Sequence, residues 1–155
     1  MEETRLPAVT IARMINWKKP ESIHLPPAFI EKLVQESDEK WAVVILHSET
    51  GIIRVIPTTS SKAVKLTILG TLPHNGAQCF LELLKVTLSR IKIQSLYNFC
   101  RYCKLHTNTR FRCMYEGYLS FTGLIISQDQ FKAELIKITG IKRVHIYPIP
   151  IPHSR

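Results

Sequence analysis

Cys100-x-x-Cys103-x-x-His106, followed by Cys113, gathers three thiols and one imidazole into a short stretch. Soft sulfur and nitrogen donors in that number suit a tetrahedral zinc ion. The spacing of Cys100 and Cys103 is usual for such sites, whereas the gap between His106 and Cys113 matches no common zinc module. Arg101, Lys104, Arg110 and Arg112 surround the group, and nearby positive charge favours thiolates. The same residues admit two further readings. Cys100 and Cys103 can form a redox pair, or Cys100 and Cys113 can pack on strands as small hydrophobes. Cys79 opens an apolar helix stripe and reads as core.

No catalytic set accompanies these residues. After residue 60 the carboxylates are Glu82, Glu116, Asp129 and Glu134. Glu82 and Glu134 fall on helix faces that point to water. Asp129 belongs to a first helical turn, where its charge offsets the helix dipole. Glu116 stands among aromatics on a strand and is placed to meet a basic partner. A Cys103–His106 nucleophile pair has no third group to orient it. Neither a Gly-x-Gly-x-x-Gly fingerprint nor a phosphate-binding loop occurs. A non-catalytic protein is expected.

The chain of 155 residues is long enough for one domain or two small ones. Its hydrophobic share of 45% and charged share of 21% are those of a globular protein. The longest apolar runs fall far short of the roughly 20 residues of a membrane span. The first residues are acidic and interrupted by Pro7, unlike a secretory signal. A cytoplasmic location is therefore expected, with cysteines as thiols or metal ligands. Charge is uneven. Residues 1–60 carry 7 Lys/Arg against 8 Asp/Glu, and residues 61–155 carry 14 against 4. A basic half attracts nucleic acid, anionic ligands or an acidic partner, or merely keeps the surface soluble.

These residues need elements to hold them. Residues 1–20 read as an arm, in which Ile11, Met14 and Ile15 suggest a short helical stripe. Residues 21–60 read as a small unit. Ser22–Leu25 alternates as a strand. Pro26-Pro27 opens a helix with Phe29, Ile30, Leu33 and Val34 on one face. Ala42–Leu46 and Ile52–Ile56 form a hairpin about the turn Ser48-Glu49-Thr50-Gly51. Pro57 ends it, and Thr58–Ser61 is the clearest linker.

Residues 61–150 read as a second domain and 151–155 as a tail. Lys65–Leu69 is a strand closed by Gly70, and Thr71–Ala77 a loop. The helix from Gln78 carries the stripe Phe80, Leu83, Leu84, Leu88 and Ile91. Ile91–Tyr97 alternates as a strand, Arg101–Arg110 is a polar insertion, and Met114–Phe121 is the next strand. Ser127 and Gln130 form a capping box for the last helix. Gly140 stands as its C′ residue, and Arg143–Tyr147 closes the order. Pro148, Pro150 and Pro152 keep the end of the chain out of a central strand. The fold class is α+β: a β-α-β-β-α-β ferredoxin-like sandwich preceded by a small strand-helix-hairpin unit. Both helices cover one face of its sheet. The other is expected to be wet or covered by a partner.

On this element order, on Gly70 and Gly76, and on the approach Gly140-Ile141-Lys142-Arg143-Val144, residues 62–150 resemble the ACT domain family. The resemblance implies a regulatory protein that senses a small molecule, commonly an amino acid, as a dimer. It places the ligand at Gly70, Thr71, Leu72, Pro73, His74, Asn75, Gly76 and Ala77, where backbone N–H groups near a helix start suit a carboxylate. Ile23–Pro26, Phe29-Ile30, Leu33, the acidic turn Glu36–Glu39 and the hairpin resemble AbrB-type swapped-hairpin domains. That likeness implies DNA contact and, for the whole chain, a transcriptional regulator. Arg13, Lys18, Lys19 and Arg54 are the basic residues available, since phosphate neutralisation dominates such affinity. An alternative uses the basic second half as a nucleic-acid-binding module, with Tyr115, Tyr118 and Phe121 stacking on bases.

Overall fold

The computed structural model describes residues 8–16, 25–36, 40–73, 80–104, 110–120 and 126–151. These form an α+β protein with two sheets. By contact density the chain divides into one unit built on Val64–Tyr147 and another built on Val9–Ala63, to which the segment from Pro148 belongs. No helix among the described residues is long and apolar enough to cross a membrane.

In the Val9–Ala63 unit, β1 (Thr10–Asn16) pairs with β2 (Trp41–His47), which pairs with β3 (Ile52–Thr58). Both pairings are antiparallel. The helical stripe expected at Ile11, Met14 and Ile15 is instead strand β1. Its backbone is matched residue for residue to β2, from Thr10 against His47 to Asn16 against Trp41. The hairpin of β2 and β3 stands as read, with Gly51 at φ +68° in the turn. Pro57 does not end β3 but lies within it, opposite Ala42. A proline lacks a donor, and an edge strand such as β3 tolerates it. Helix α1 (Pro27–Glu36) begins on Pro27, where a missing N–H leaves nothing unsatisfied. Leu33 of α1 packs against the Ile15–Ala42 cluster, as do Val44 and Val55. Ser22–His24, read as a strand, lies outside the described residues.

The segment after Tyr147 is extended, as the prolines require, yet it is tied down. Ile149 is buried and its N–H donates to the Ala63 carbonyl at 3.1 Å. The Pro150 carbonyl accepts the Met14 N–H at 3.0 Å, on the side of β1 away from β2. Alternation explains the arrangement. Successive residues of an extended chain direct their polar groups to opposite edges, so proline at every second position spares the intervening donor.

In the Val64–Tyr147 unit the elements are β4 (Ala63–Pro73), α2 (Phe80–Arg90), β5 (Gln94–Lys104), β6 (Arg110–Ser120), α3 (Gln128–Ile136) and β7 (Ile141–Pro148). The sheet order is β5-β6-β4-β7. Thr71 N–H to Gly140 O at one end, and Ile149 N–H to Ala63 O at the other, set β4 and β7 antiparallel. One core holds the unit together: Leu66 and Ile68 of β4, Leu84 and Leu88 of α2, Tyr115 and Leu119 of β6, Phe131 and Leu135 of α3, and Val144 of β7. Both helices therefore cover the same sheet face.

The opposite face is not open. Met114, Glu116, Tyr118 and Ser120 of β6 are buried too. Lys65 Nζ lies 2.6 Å from Glu116 Oε1 and 5.7 Å from the centre of the Tyr118 ring. At β6, the strand on which that face was expected to be wet or covered by a partner, all eight residues Cys113–Ser120 are buried.

Two helix ends show how local sequence fixes the unit. Ser127 accepts from the Gln130 N–H and Gln130 Oε1 accepts from the Ser127 N–H, completing the capping box of α3. At the end of α2, Lys92 N–H donates to Ser89 O and Ile93 N–H to Leu88 O. This is a Schellman motif, whose left-handed position normally holds glycine. Here Lys92 occupies it at φ +57°. Gly140 also has positive φ, +95°, but in the turn entering β7 and not at the C′ position, since the α3 C-cap is Lys137. Arg90 and Lys137 both reach Glu134, at 3.2 and 2.9 Å. The Lys137 hydrogen bond holds that carboxyl below its ordinary range.

Candidate functional site

Strands β5 and β6, eleven residues each, form the longest antiparallel pair among the described residues for which a register is resolved. Of the insertion read at Arg101–Arg110, both described ends are strand: β5 runs to Lys104 and β6 begins at Arg110. Polar and basic side chains do not stop a strand whose backbone groups are paired across the ladder.

A bulge between Ser95 and Tyr97 shifts the register of this hairpin. Ser95 faces Leu119, while Asn98 faces Gly117 and Cys100 faces Tyr115. Without the extra residue, Ser95 and Asn98 would fall on opposite faces, being an odd number of positions apart. With it, Ser95, Asn98 and Cys100 all turn toward α2, a common use of a bulge.

The result is a cavity of about 450 Å³ between α2 and the hairpin. Leu84, Leu88 and Ile93 line it together with Lys85, Ser89, Ser95, Asn98, Cys100 and Tyr115. Ligand sites are typically of this size and character, mostly apolar with a few converging polar groups. Tyr115 is buried, and burial together with the nearby Cys100 pushes its phenol up to about 12. Its hydroxyl is therefore a protonated donor across the physiological range. Tyr97 and Tyr118 stack on the far side of the sheet, with ring centres 6.4 Å apart.

Of the expected metal ligands, Cys100 and Cys113 come together, with 2.8 Å between their sulfurs. No disulfide joins them. Position 103 lies in the same strand, opposite Arg112. His106 lies outside the described residues, and no cluster of three metal-ligating side chains occurs among those described.

The expected ligand loop is shorter than read. Gly70, Thr71, Leu72 and Pro73 are the last residues of β4. The Thr71 N–H is engaged by the Gly140 carbonyl and does not face a ligand. His74, Asn75, Gly76 and Ala77 lie outside the described residues, as does Cys79.

Arg13 and Arg54, two of the four basic residues singled out, do not form one patch. Arg13 faces Val44, which faces Val55, whereas Arg54 faces Ile45. Adjacent rows point to opposite faces, so the two guanidinium groups belong to different sides of the β1-β2-β3 sheet. Lys18 and Lys19 lie outside the described residues. Tyr115 and Tyr118 are buried, and neither is exposed for stacking on a base, while Phe121 lies outside the described residues.

The first unit also exposes an apolar row. Ile11, Leu46 and Ile53 stand directly opposite one another across the three strands and are 50%, 38% and 62% exposed. On the same side, Phe29 of α1 is 60% exposed and borders an open groove with Ile53 and Val55.

Sequence reasoning missed the cavity. Its polar residues come from one helix and two strands, and only the bulge brings them into line. Against known proteins, no family model matches the chain, and no curated protein is similar to it.

Proposed function

We propose that the chain is a non-catalytic regulatory protein that senses a small molecule in the cavity beneath α2. The observation that carries this reading is that Lys85, Ser95, Asn98 and Tyr115 line one cavity with the apolar Leu84, Leu88 and Ile93. An amino acid with an apolar side chain suits that chemistry. Its carboxylate would meet the Lys85 ammonium, and its side chain would lie against the leucines. The sheet order β5-β6-β4-β7 supports a ferredoxin-like arrangement of the sensing unit, the frame implied by the ACT resemblance. The ligand position differs from that resemblance, moving from the β4–α2 connection to the space between α2 and the hairpin.

The exposed row Ile11, Leu46 and Ile53 supports pairing of two copies through the first unit, since isolated domains seldom leave such a row in water. Arg13 and Arg54 on opposite faces favour ligand sensing over DNA contact as the leading role.

A thermal-shift screen of amino acids and small carboxylates tests the reading. A ligand present at about 100 times its Kd stabilises the folded form by about 2.7 kcal/mol. A Leu84→Trp variant, which fills the cavity, should lose that shift. A screen in which none of these compounds raises the melting temperature would refute the proposal.

A further inference from the structure

The two sulfurs of Cys100 and Cys113 approach along a diagonal of the ladder. Cys100 faces Tyr115, and Cys113 faces residue 102. A disulfide bond is about 2.05 Å long. From 2.8 Å the sulfurs need to close by only about 0.8 Å, within reach of a small side-chain rotation that leaves the strand pairing intact. Their exposures differ. Cys113 is fully buried, whereas Cys100 is partly exposed and lines the cavity. A reagent in the cavity therefore meets Cys100 first.

We propose that Cys100 and Cys113 form a redox-active pair that is oxidised to an intrachain disulfide by a low-molecular-weight disulfide entering the α2 cavity. The Cys100 thiolate attacks one sulfur of the reagent, breaks its S–S bond and releases one small thiol. The Cys113 thiolate then attacks the Cys100 sulfur of the mixed disulfide and expels the second small thiol. The two protons lost by the protein end on the two released thiols. The protein gives up two electrons, and the reagent is reduced by two. The new bond ties β5 to β6 beside Tyr115, on the wall of the cavity. This pairing does not rest on the ligand-sensing proposal, because its test reads sulfur chemistry alone.

The test uses the full chain with Cys79→Ser and Cys103→Ser, so that only the pair remains. It is incubated with oxidised glutathione, quenched in acid, and analysed by thiol counting and intact mass. Both thiols should disappear together, leaving a product that lacks two hydrogens and carries no glutathione. Adding Cys113→Ser should halt the reaction at one glutathione adduct on Cys100. Adding Cys100→Ser should slow the reaction at least tenfold. Peptide mapping of the oxidised native sequence should recover the same cross-link, which removes dependence on how the variants fold. A stable glutathione adduct on Cys100 while Cys113 is present would overturn the proposal. So would both thiols remaining reduced where the denatured chain is oxidised, or a bound zinc ion released by modifying them.

Discussion

The ring of Tyr115 lies across the α-carbon of Gly117, so that a β-carbon at residue 117 would meet the phenol oxygen at 2.5 Å and Cε1 at 2.6 Å. The two residues are on the same face of β6, and the glycine leaves the space into which the ring folds. Aromatic cover of a strand glycine is a known way of filling the gap it leaves. Gly117→Ala should therefore displace the Tyr115 ring. The expected loss is about 1–3 kcal/mol, the usual range for overpacking a core. Urea unfolding compared with the native sequence measures it.

Tyr115 also sets a limit at high pH. Its phenol is raised from 10.0 to about 12 by burial and by Cys100. The unfolded chain releases this proton near the ordinary value and the folded chain holds it longer, so the folded form binds more protons in between. Stability from this group is complete below pH 10 and declines as pH rises from 10 toward 12. The loss across that window is up to roughly 3 kcal/mol. Tyr115→Phe should flatten this part of the stability profile, as followed by denaturant midpoints between pH 9 and 12.

Lys92 sits in a left-handed conformation at the end of α2, where a side chain is disfavoured. Lys92→Gly should relieve that strain, partly offset by the greater freedom glycine gives the unfolded chain. A net gain of about 0.5–1 kcal/mol is expected. A lower melting temperature for the variant would contradict it.

The Lys65–Glu116 pair gives a test in which the double variant should be more stable than the single one. Glu116 is fully buried and Lys65 is 15% exposed. Glu116→Ala leaves the ammonium without this carboxylate and should destabilise by about 3–5 kcal/mol. Replacing both, as Lys65→Met with Glu116→Leu, should recover most of that loss. A double variant as unstable as the single one would show that the pair is not the cause.

Ser127→Ala should remove one side of the capping box and lower stability by about 1 kcal/mol. This prediction needed only the sequence, because a cap is a local pattern. The same holds for the β2–β3 hairpin, whose turn and flanking β-branched residues are contiguous. It fails for β1. Ile11, Met14 and Ile15 fit a helical spacing, but the backbone groups of β2 were available to pair with that stretch, and tertiary pairing outweighs a weak local period. It fails again for β5. Residues Arg101–Lys104 look like loop by composition, yet they continue a ladder already nucleated at Gln94–Cys100. The cavity was least legible. Nothing in the spacing of Ser95 and Asn98 announces that a bulge at Leu96 will bring them to the same side.

The anchoring of Ile149 and Pro150 bears on how the molecule avoids adhering to its own kind. A bare strand margin is a template on which further chains can assemble. At Met14 that margin is occupied by a proline carbonyl, and the residue supplying it has no N–H with which to recruit another strand. The proline-spaced stretch thus works as a terminator of sheet growth. Trimming it away is expected to raise the tendency to fibrous self-association.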